Sequence, residues 1–288
     1  GKKKNGEGDI NVKEKEGWNA ETSRILTAEN DSNINASITA TGERAGLAMN
    51  FGGDYNILTR ATYSGAVLDE NGKPVANKAP EGTEYAAITL AGKDATLAIN
   101  GNEYTLIHSM ADLDKINQAN GAGYFALAND LDAGGVIYDD SLILKLGEYY
   151  EDLDFETWEV TYVPVSQGVL AGLGHSIDKL AIHATGKDNI ALIGEINTSS
   201  VVRDLGLTNV DIRSEALQTE WGASGGRNAG ALYAAGRWDG LISQVFVTGN
   251  VSGRSSVGGL GGSTTSMGET SYDAVGKSVS DASCTMLH

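Results

Sequence analysis

Short apolar motifs recur along the second half of this chain, and they constrain the fold more than any other feature. Ile177-Asp178-Lys179-Leu180-Ala181-Ile182, Val202-Arg203-Asp204-Leu205-Gly206-Leu207 and Ile242-Ser243-Gln244-Val245-Phe246-Val247 share one pattern: apolar, polar, polar, apolar, any, apolar. A second series interleaves with them: Ala191-Leu192-Ile193-Gly194, Ala231-Leu232-Tyr233-Ala234 and Gly259-Leu260-Gly261-Gly262. Each unit is too short to bury its own apolar side. Copies that stack side by side bury a shared interior instead. The unequal spacing of the copies implies excursions that leave the frame between some units.

The local pattern points the same way. Asp9-Ile10-Asn11-Val12, Asn33-Ile34-Asn35-Ala36-Ser37-Ile38 and Ala95-Thr96-Leu97-Ala98-Ile99-Asn100 alternate with the period of two that marks half-buried strands. Glycine is abundant, 38 of 288 residues, and proline is scarce at three. That balance suits many tight corners rather than a disordered linker. Gly172, Gly174 and Gly194 read as corner or close-packing glycines. A phosphate cradle is disfavoured there, because no strand–loop–helix with a following lysine is present. One helix is expected, over 109–118 in "HSMADLDKINQAN", with Ser109 as cap, Asp112 three positions on, and Met110, Leu113 and Ile116 on one face. The expected fold is all-β: a parallel β-helix, or β-solenoid, with one short helix in an insertion. An antiparallel sandwich of similar short strands is the alternative. At roughly 25 residues per coil there would be about eleven coils, in a rod roughly 50 Å long. Residues 1–262 form the expected rod, about 134–162 an acidic insertion, and 263–288 an irregular or frayed tail.

Charge and cysteine content narrow the partners. The net charge of −17 repels phosphate, which disfavours nucleic acid and anionic membrane. Cys284 is the sole cysteine, so no disulfide forms within the chain. The opening "GKKKNGEGDI" has no apolar run behind it and does not read as a signal peptide. No stretch of about 18 apolar residues is present, and no membrane insertion is expected.

Residues 95–133, "ATLAINGNEYTLIHSMADLDKINQANGAGYFALANDLDA", followed by "LAGLGHSIDKLAI" at 170–182 and a Gly-Leu-any-Gly unit at 259–262, resemble the filamentous-haemagglutinin-like adhesins. "LTAENDSNINASITATG" at 26–42 resembles the repeated wall of the same family. These adhesins leave Gram-negative bacteria by two-partner secretion. The resemblance implies a right-handed parallel β-helix and a secreted or cell-surface location. It implies a host surface or a glycan as partner, with a cognate outer-membrane transporter during export. It brings no catalytic residues, and it implies that the chain is a fragment of something longer.

Two constellations invite chemistry. "GASGG" at 222–226 matches the G-x-S-x-G pattern around Ser224, which works only on a strand-to-helix elbow with an acid and a histidine nearby. The chain has four histidines, His108, His175, His183 and His288. None forms a metal-type pair, and His175 reads as a structural cap. The acidic insertion is the second constellation. In "EDLDFETWE", Asp152, Asp154 and Glu156 lie two apart. In an extended chain their carboxylates share one face, roughly 6.5–7 Å apart. Such a face suits a weak calcium site or a cationic ligand. Phe155 and Leu153 would anchor the opposite face, and Trp158 would stack on a sugar. The expected role is a structural or adhesive module. The alternative is a β-helix hydrolase of a polysaccharide or a small ester or lactone, calcium-dependent in one version and using Ser224 in another.

Overall fold

The computed structural model describes residues 8–63, 66–158, 160–197, 199–237 and 241–265. Among them the chain is mostly β, with parallel sheets and one short α-helix, Asp114–Gln118, entered through a 3-10 turn at Ala111–Leu113. A second 3-10 turn spans Arg60–Tyr63. The α-helix is shorter than the expected 109–118, since the first turn is 3-10, but Ser109 and Asp112 still bond at its entry. Ser109 Oγ accepts the Asp112 N–H at 3.3 Å, and the Asp112 carboxylate accepts the His108 N–H at 2.9 Å. Leu113 and Ile116 are buried, and Met110 packs against them from a partly exposed position. The helix is the crossover between two paired strands, Asn102–Ile107 and Gly123–Leu127. Parallel neighbours need such a connection, since a tight turn cannot join them.

Most pairs are parallel, between segments far apart in sequence. Val12, Ile34 and Ile57 stand in one register. Leu170, Val202 and Ile242 stand in another. Antiparallel pairing, among the described residues, is confined to four hairpins. The sandwich alternative fails on that count. Among the described residues, no sheet closes on itself.

The structure sorts the two motif series. The second is aligned as the sequence suggests, with Ile193 paired to Tyr233 and Tyr233 to Gly261. It extends back to Ile143, paired with Ile193. In the first series, Val202 pairs with Ile242 and Leu207 with Val247. The 177–182 copy, however, is out of register. Ile177 pairs with Leu207 and Ile182 with Ile212, while the partner of Val202 is Leu170. Two different corners produce the same apolar–polar–polar–apolar pattern. One turns at Lys179 and Asn209 and the other at Asp204 and Gln244, all four in the left-handed region. Leu180, Ile182, Leu192, Leu205, Leu207, Leu232, Val245 and Val247 are buried as expected, and Leu260 is only partly buried against them. Gly172 and Gly194 are close-approach positions. An added Cβ would strike the Asp204 carbonyl oxygen at the first, and would stand 2.8 Å from the Leu144 carbonyl oxygen at the second.

One feature divides the chain. Strands Thr96–Ile99 and Asn102–Ile107 form a two-residue hairpin, with Asn100 and Gly101 both at positive φ, 49° and 80°. Asn-Gly is the pair that this mirror-image turn favours. The hairpin sits inside an eight-stranded sheet. Its order is Leu241–Ser243, Val201–Arg203, Gly168–Ala171, Gly123–Leu127, Asn102–Ile107, Thr96–Ile99, Gly46–Asn50 and Ser23–Thr27. Strand direction therefore reverses once, between a first block (8–99) and a second (102–265). The cores divide with it. Phe125, Leu127 and Leu170 lie in one cluster; their chain neighbours Ala126, Ala128 and Ala171 lie in the other, with Ile88, Leu90 and Leu97. Side chains alternate across a strand, so the central strands Gly123–Leu127 and Gly168–Ala171 of this sheet bury both faces.

Gly261–Thr265 is a strand paired with Tyr233–Arg237. Residues 266–288, including Cys284 and His288, lie outside the described residues.

Candidate functional site

The acidic insertion is shorter than the sequence suggests. Ile137–Tyr138 and Ile143–Leu146 belong to the parallel ladders. The departure is a hairpin, Glu148–Leu153 against Val160–Ser166, with Asp152 opposite Thr161 and Leu153 opposite Val160. Three of its neighbouring acids are paired: Asp139 and Asp140 with Lys187 at 3.6 and 2.9 Å, and Glu148 with Lys145 at 3.2 Å.

The strand stops at Leu153, so the segment that holds Asp152, Asp154 and Glu156 is not extended throughout. The Asp154 carboxylate turns back and accepts the N–H groups of Glu156 at 2.7 Å and Thr157 at 3.2 Å. The Trp158 N–H donates to the Asp154 carbonyl at 2.8 Å, and Trp158 itself has φ 60°. An aspartate that caps amides two and three residues on makes a turn, and the turn replaces the extended segment that would align Asp152, Asp154 and Glu156. These backbone bonds, that from Glu156 foremost, hold the Asp154 carboxyl below the usual carboxylate range. Among the described residues, no group of three or more His, Cys, Asp or Glu is placed to hold a metal ion. Phe155 is not an anchor either. It is 75% exposed and meets Trp158, 73% exposed, edge to face at 6.4 Å between ring centres. The hairpin thus presents two aromatic rings to solvent above a pinned turn. Glu159 lies outside the described residues.

A second hairpin, Leu217–Thr219 against Gly222–Ser224, presents Trp221, 96% exposed, which the sequence reading missed. Its signal was available: Trp221 is a lone aromatic between Thr219-Glu220 and a glycine, where no ladder motif reaches. Arg254 braces this hairpin through the Ala223 carbonyl at 2.9 Å. Ser224 sits in it, with Leu217 as its register partner. A strand-to-helix elbow is absent at this position, and the described histidines are engaged elsewhere. His108 meets the Leu90 carbonyl, His175 meets Asp130 and the Ile88 carbonyl, and His183 meets Asp211. Among the described residues, no histidine is bonded to Ser224 as the base a nucleophile needs. The structural role expected for His175 holds.

The sequence reading also missed a repeat in the first block. Asp9-Ile10-Asn11-Val12, Asp31-Ser32-Asn33-Ile34 and Asp54-Tyr55-Asn56-Ile57 share the form Asp-any-Asn-aliphatic. The asparagines form a ladder, Asn33 donating to Asn11 at 3.1 Å and Asn56 to Asn33 at 3.0 Å. The aspartates do the same through backbone amides: Asp31 N–H to Asp9 at 3.1 Å and Asp54 N–H to Asp31 at 2.9 Å. The column ends at the second block, where Arg203 Nη1 donates to Asp54 at 2.7 Å.

These features define a class: a mostly β protein of stacked parallel ladders, from which hairpins with exposed aromatic tips project. Over 164 residues, 55% of this chain, the sequence is 30% identical to Halomucin of Haloquadratum walsbyi (strain DSM 16790 / HBSQ001), and the match spans 2% of that protein's length. No family model and no solved structure matches the chain. No helix among the described residues is long and apolar enough to cross a membrane.

Proposed function

We propose that the chain is a structural and adhesive module of a surface or secreted protein, a right-handed parallel β-helix whose hairpin tip contacts a glycan. The observation that carries the proposal is the Phe155–Trp158 pair, held out on a turn pinned by Asp154. Loops and hairpins on a rigid frame are where binding residues concentrate. An aromatic face matches the apolar face of a sugar ring, and a chain of net charge −17 favours a neutral or cationic partner over an anionic one. Asp152 and Glu156 flank the rings and offer hydrogen-bond acceptors for sugar hydroxyls.

The right-handed reading has its own support. Crossovers between parallel neighbours are right-handed in nearly all sheets. If strand direction reverses and the handedness stays, the return connections of the two blocks must lie on opposite faces of the shared sheet. The division of Phe125 from Ala126, and of Leu170 from Ala171, agrees with that. The stretch shared with Halomucin supports a surface or secreted location. The finer reading, an adhesin carried out of a Gram-negative bacterium by two-partner secretion, rests on the resemblance at 95–133.

The test is a glycan array probed with the full chain, then with Trp158→Ala and Phe155→Ala. The expected result is one class of glycan bound by the wild type and lost in both variants, with melting unchanged. No bound glycan, or binding indifferent to both substitutions, would leave the hairpin without this role.

A further inference from the structure

The seam between the two blocks holds ionisable groups where a strand partner would otherwise be. Strand Ile88–Leu90 pairs with Ile38–Ala40 on one side. On its other edge, the Ile88 N–H donates to the Leu173 carbonyl and the Leu90 N–H to the Ala128 carbonyl, each at 2.9 Å. The carbonyls of that edge are met by imidazoles: His175 Nε2 stands 2.8 Å from Ile88 O, and His108 Nε2 stands 3.0 Å from Leu90 O. His175 is 3% exposed. Its Nδ1 lies 3.1 Å from Asp130 Oδ1, which also accepts the Ser176 N–H at 3.0 Å. Both ring nitrogens face acceptors, and only the doubly protonated ring donates to both.

One register further along the second block, Arg203 closes the same seam. Its Nε donates to Asp204 Oδ2 at 2.7 Å, its Nη1 to Asp54 at 2.7 Å and its Nη2 to the Tyr55 carbonyl at 2.6 Å. The guanidinium lies over the Tyr55 ring, 3.8 Å from its centre. Asp204 is 1% exposed, and its Oδ1 has no hydrogen-bond partner. A charged oxygen in that position is costly, and a neutral carboxyl costs less.

We propose that the seam is a proton-operated clasp, tight while Asp204 holds its proton and looser once it loses it. Asp204 is faced by Arg203 from its own strand, by Asp54 and Tyr55 from the first block, and by uncharged Ser243 and Gln244 on the next strand. Tyr104 feels Arg203 from the neighbouring hairpin. His175 is faced by Asp130 and by the Thr89 hydroxyl at 3.3 Å.

The direction follows from linkage. Burial pushes the Asp204 carboxyl from 3.8 up to about 6, against the pull of Arg203. Between those values the closed seam keeps a proton that an open seam has lost, so the closed state weakens as pH rises through the window. Asp130 acts in the opposite sense. Its bond from His175 is the leading cause that holds it below the ordinary carboxylate range, so its contribution fades only as pH falls through its lowered value. The clasp therefore tightens as pH falls through that window, and pH 5 lies inside it. There the Asp204 proton favours the closed state about tenfold, and by pH 7.5 it favours it hardly at all.

Backbone amide exchange on the full chain at pH 5 and pH 7.5, corrected for intrinsic rates, tests the clasp. Protection of the Ile88, Leu90 and Gly174 amides should fall about tenfold relative to Ile182 and Ile193 in the second block. Asp204→Asn, neutral at both pH values, should remove most of that fall. Asp54→Asn removes a neighbouring carboxylate that helps to hold the Asp204 proton and should shrink the fall. Equal pH dependence at seam and interior would overturn the proposal. So would the wild-type ratio persisting in whichever variant folds.

Discussion

Ala171→Leu tests the central structural claim, that the central strands of one sheet are buried on both faces. Ala171 is fully buried, in register with Ala126 on one side and Arg203 on the other. Its side chain belongs to the cluster of the first block, whereas that of Leu170 belongs to the second. Three added carbons have no space between the blocks. Overpacking of this kind costs about 1–3 kcal/mol. For a chain of this size each kcal/mol shifts the melting temperature by about 2–4 °C, so the loss should be about 2–12 °C. Leu170→Ala empties the other face and should cost about 2–5 kcal/mol. Calorimetric or dichroism-monitored melting of both variants decides. In a single uniform rod one of two consecutive residues faces solvent, and a surface substitution stays within about 0.5 kcal/mol. A value that small for Ala171→Leu would refute the back-to-back arrangement.

Leu205→Ala should cost about 2–5 kcal/mol, and Leu260→Ala clearly less, because Leu260 is only partly buried; denaturant melts compare them, and equal losses would misplace the inner face. Gly101→Val forces a β-branched residue into the left-handed turn and should cost at least about 1–2 kcal/mol in the same assay. Arg203→Lys keeps the charge but loses the fork shared by Asp204, Asp54 and Tyr55; a loss of about 3–5 kcal/mol in thermal unfolding is expected, as for a broken buried pair. Calcium titrated into metal-free protein should give neither heat nor a thermal shift at millimolar concentration, because Asp154 is committed to its own turn.

Much of the frame was legible because it rests on side-chain period and corner chemistry. The short helix at Asp114–Gln118, the inward leucines and the second motif series follow from local residues. What escaped follows from competition between local and distant partners. The 177–182 copy was matched to 202–207 because both span a corner with a left-handed third residue, Lys179 and Asp204, and only the pairing register tells the two corners apart. The Asn100-Gly101 hairpin is a strong signal in "INGNEY", yet within a stack of parallel strands its consequence, a reversal of direction, appears only when both flanking strands are seen in one sheet. "YFALANDLDA" reads as one apolar face of Phe125 and Leu127. The small residues Ala126 and Ala128 look like an outer face, and they are the contact with the first block. The expected carboxylate row failed for a local reason, since Asp154 had a closer partner in its own backbone.

The wall and the hairpins answer to different constraints. With both faces of the sheet's central strands buried, an excursion can leave only at a corner, between strands whose register is already set. The Glu148–Ser166 hairpin leaves between strand Ile143–Leu146, paired to Ile193, and strand Gly168–Ala171, paired to Gly123. The Leu217–Ser224 hairpin leaves between strand Gly206–Glu215 and strand Arg227–Ala229 in the same manner. Each hairpin closes its own hydrogen bonds, so its length does not disturb the ladder beneath it. That independence accounts for the unequal spacing of the motifs. It also places the exposed rings, Phe155, Trp158 and Trp221, on segments that the repeat does not specify. A frame of this kind can keep its core residues fixed while the tips change.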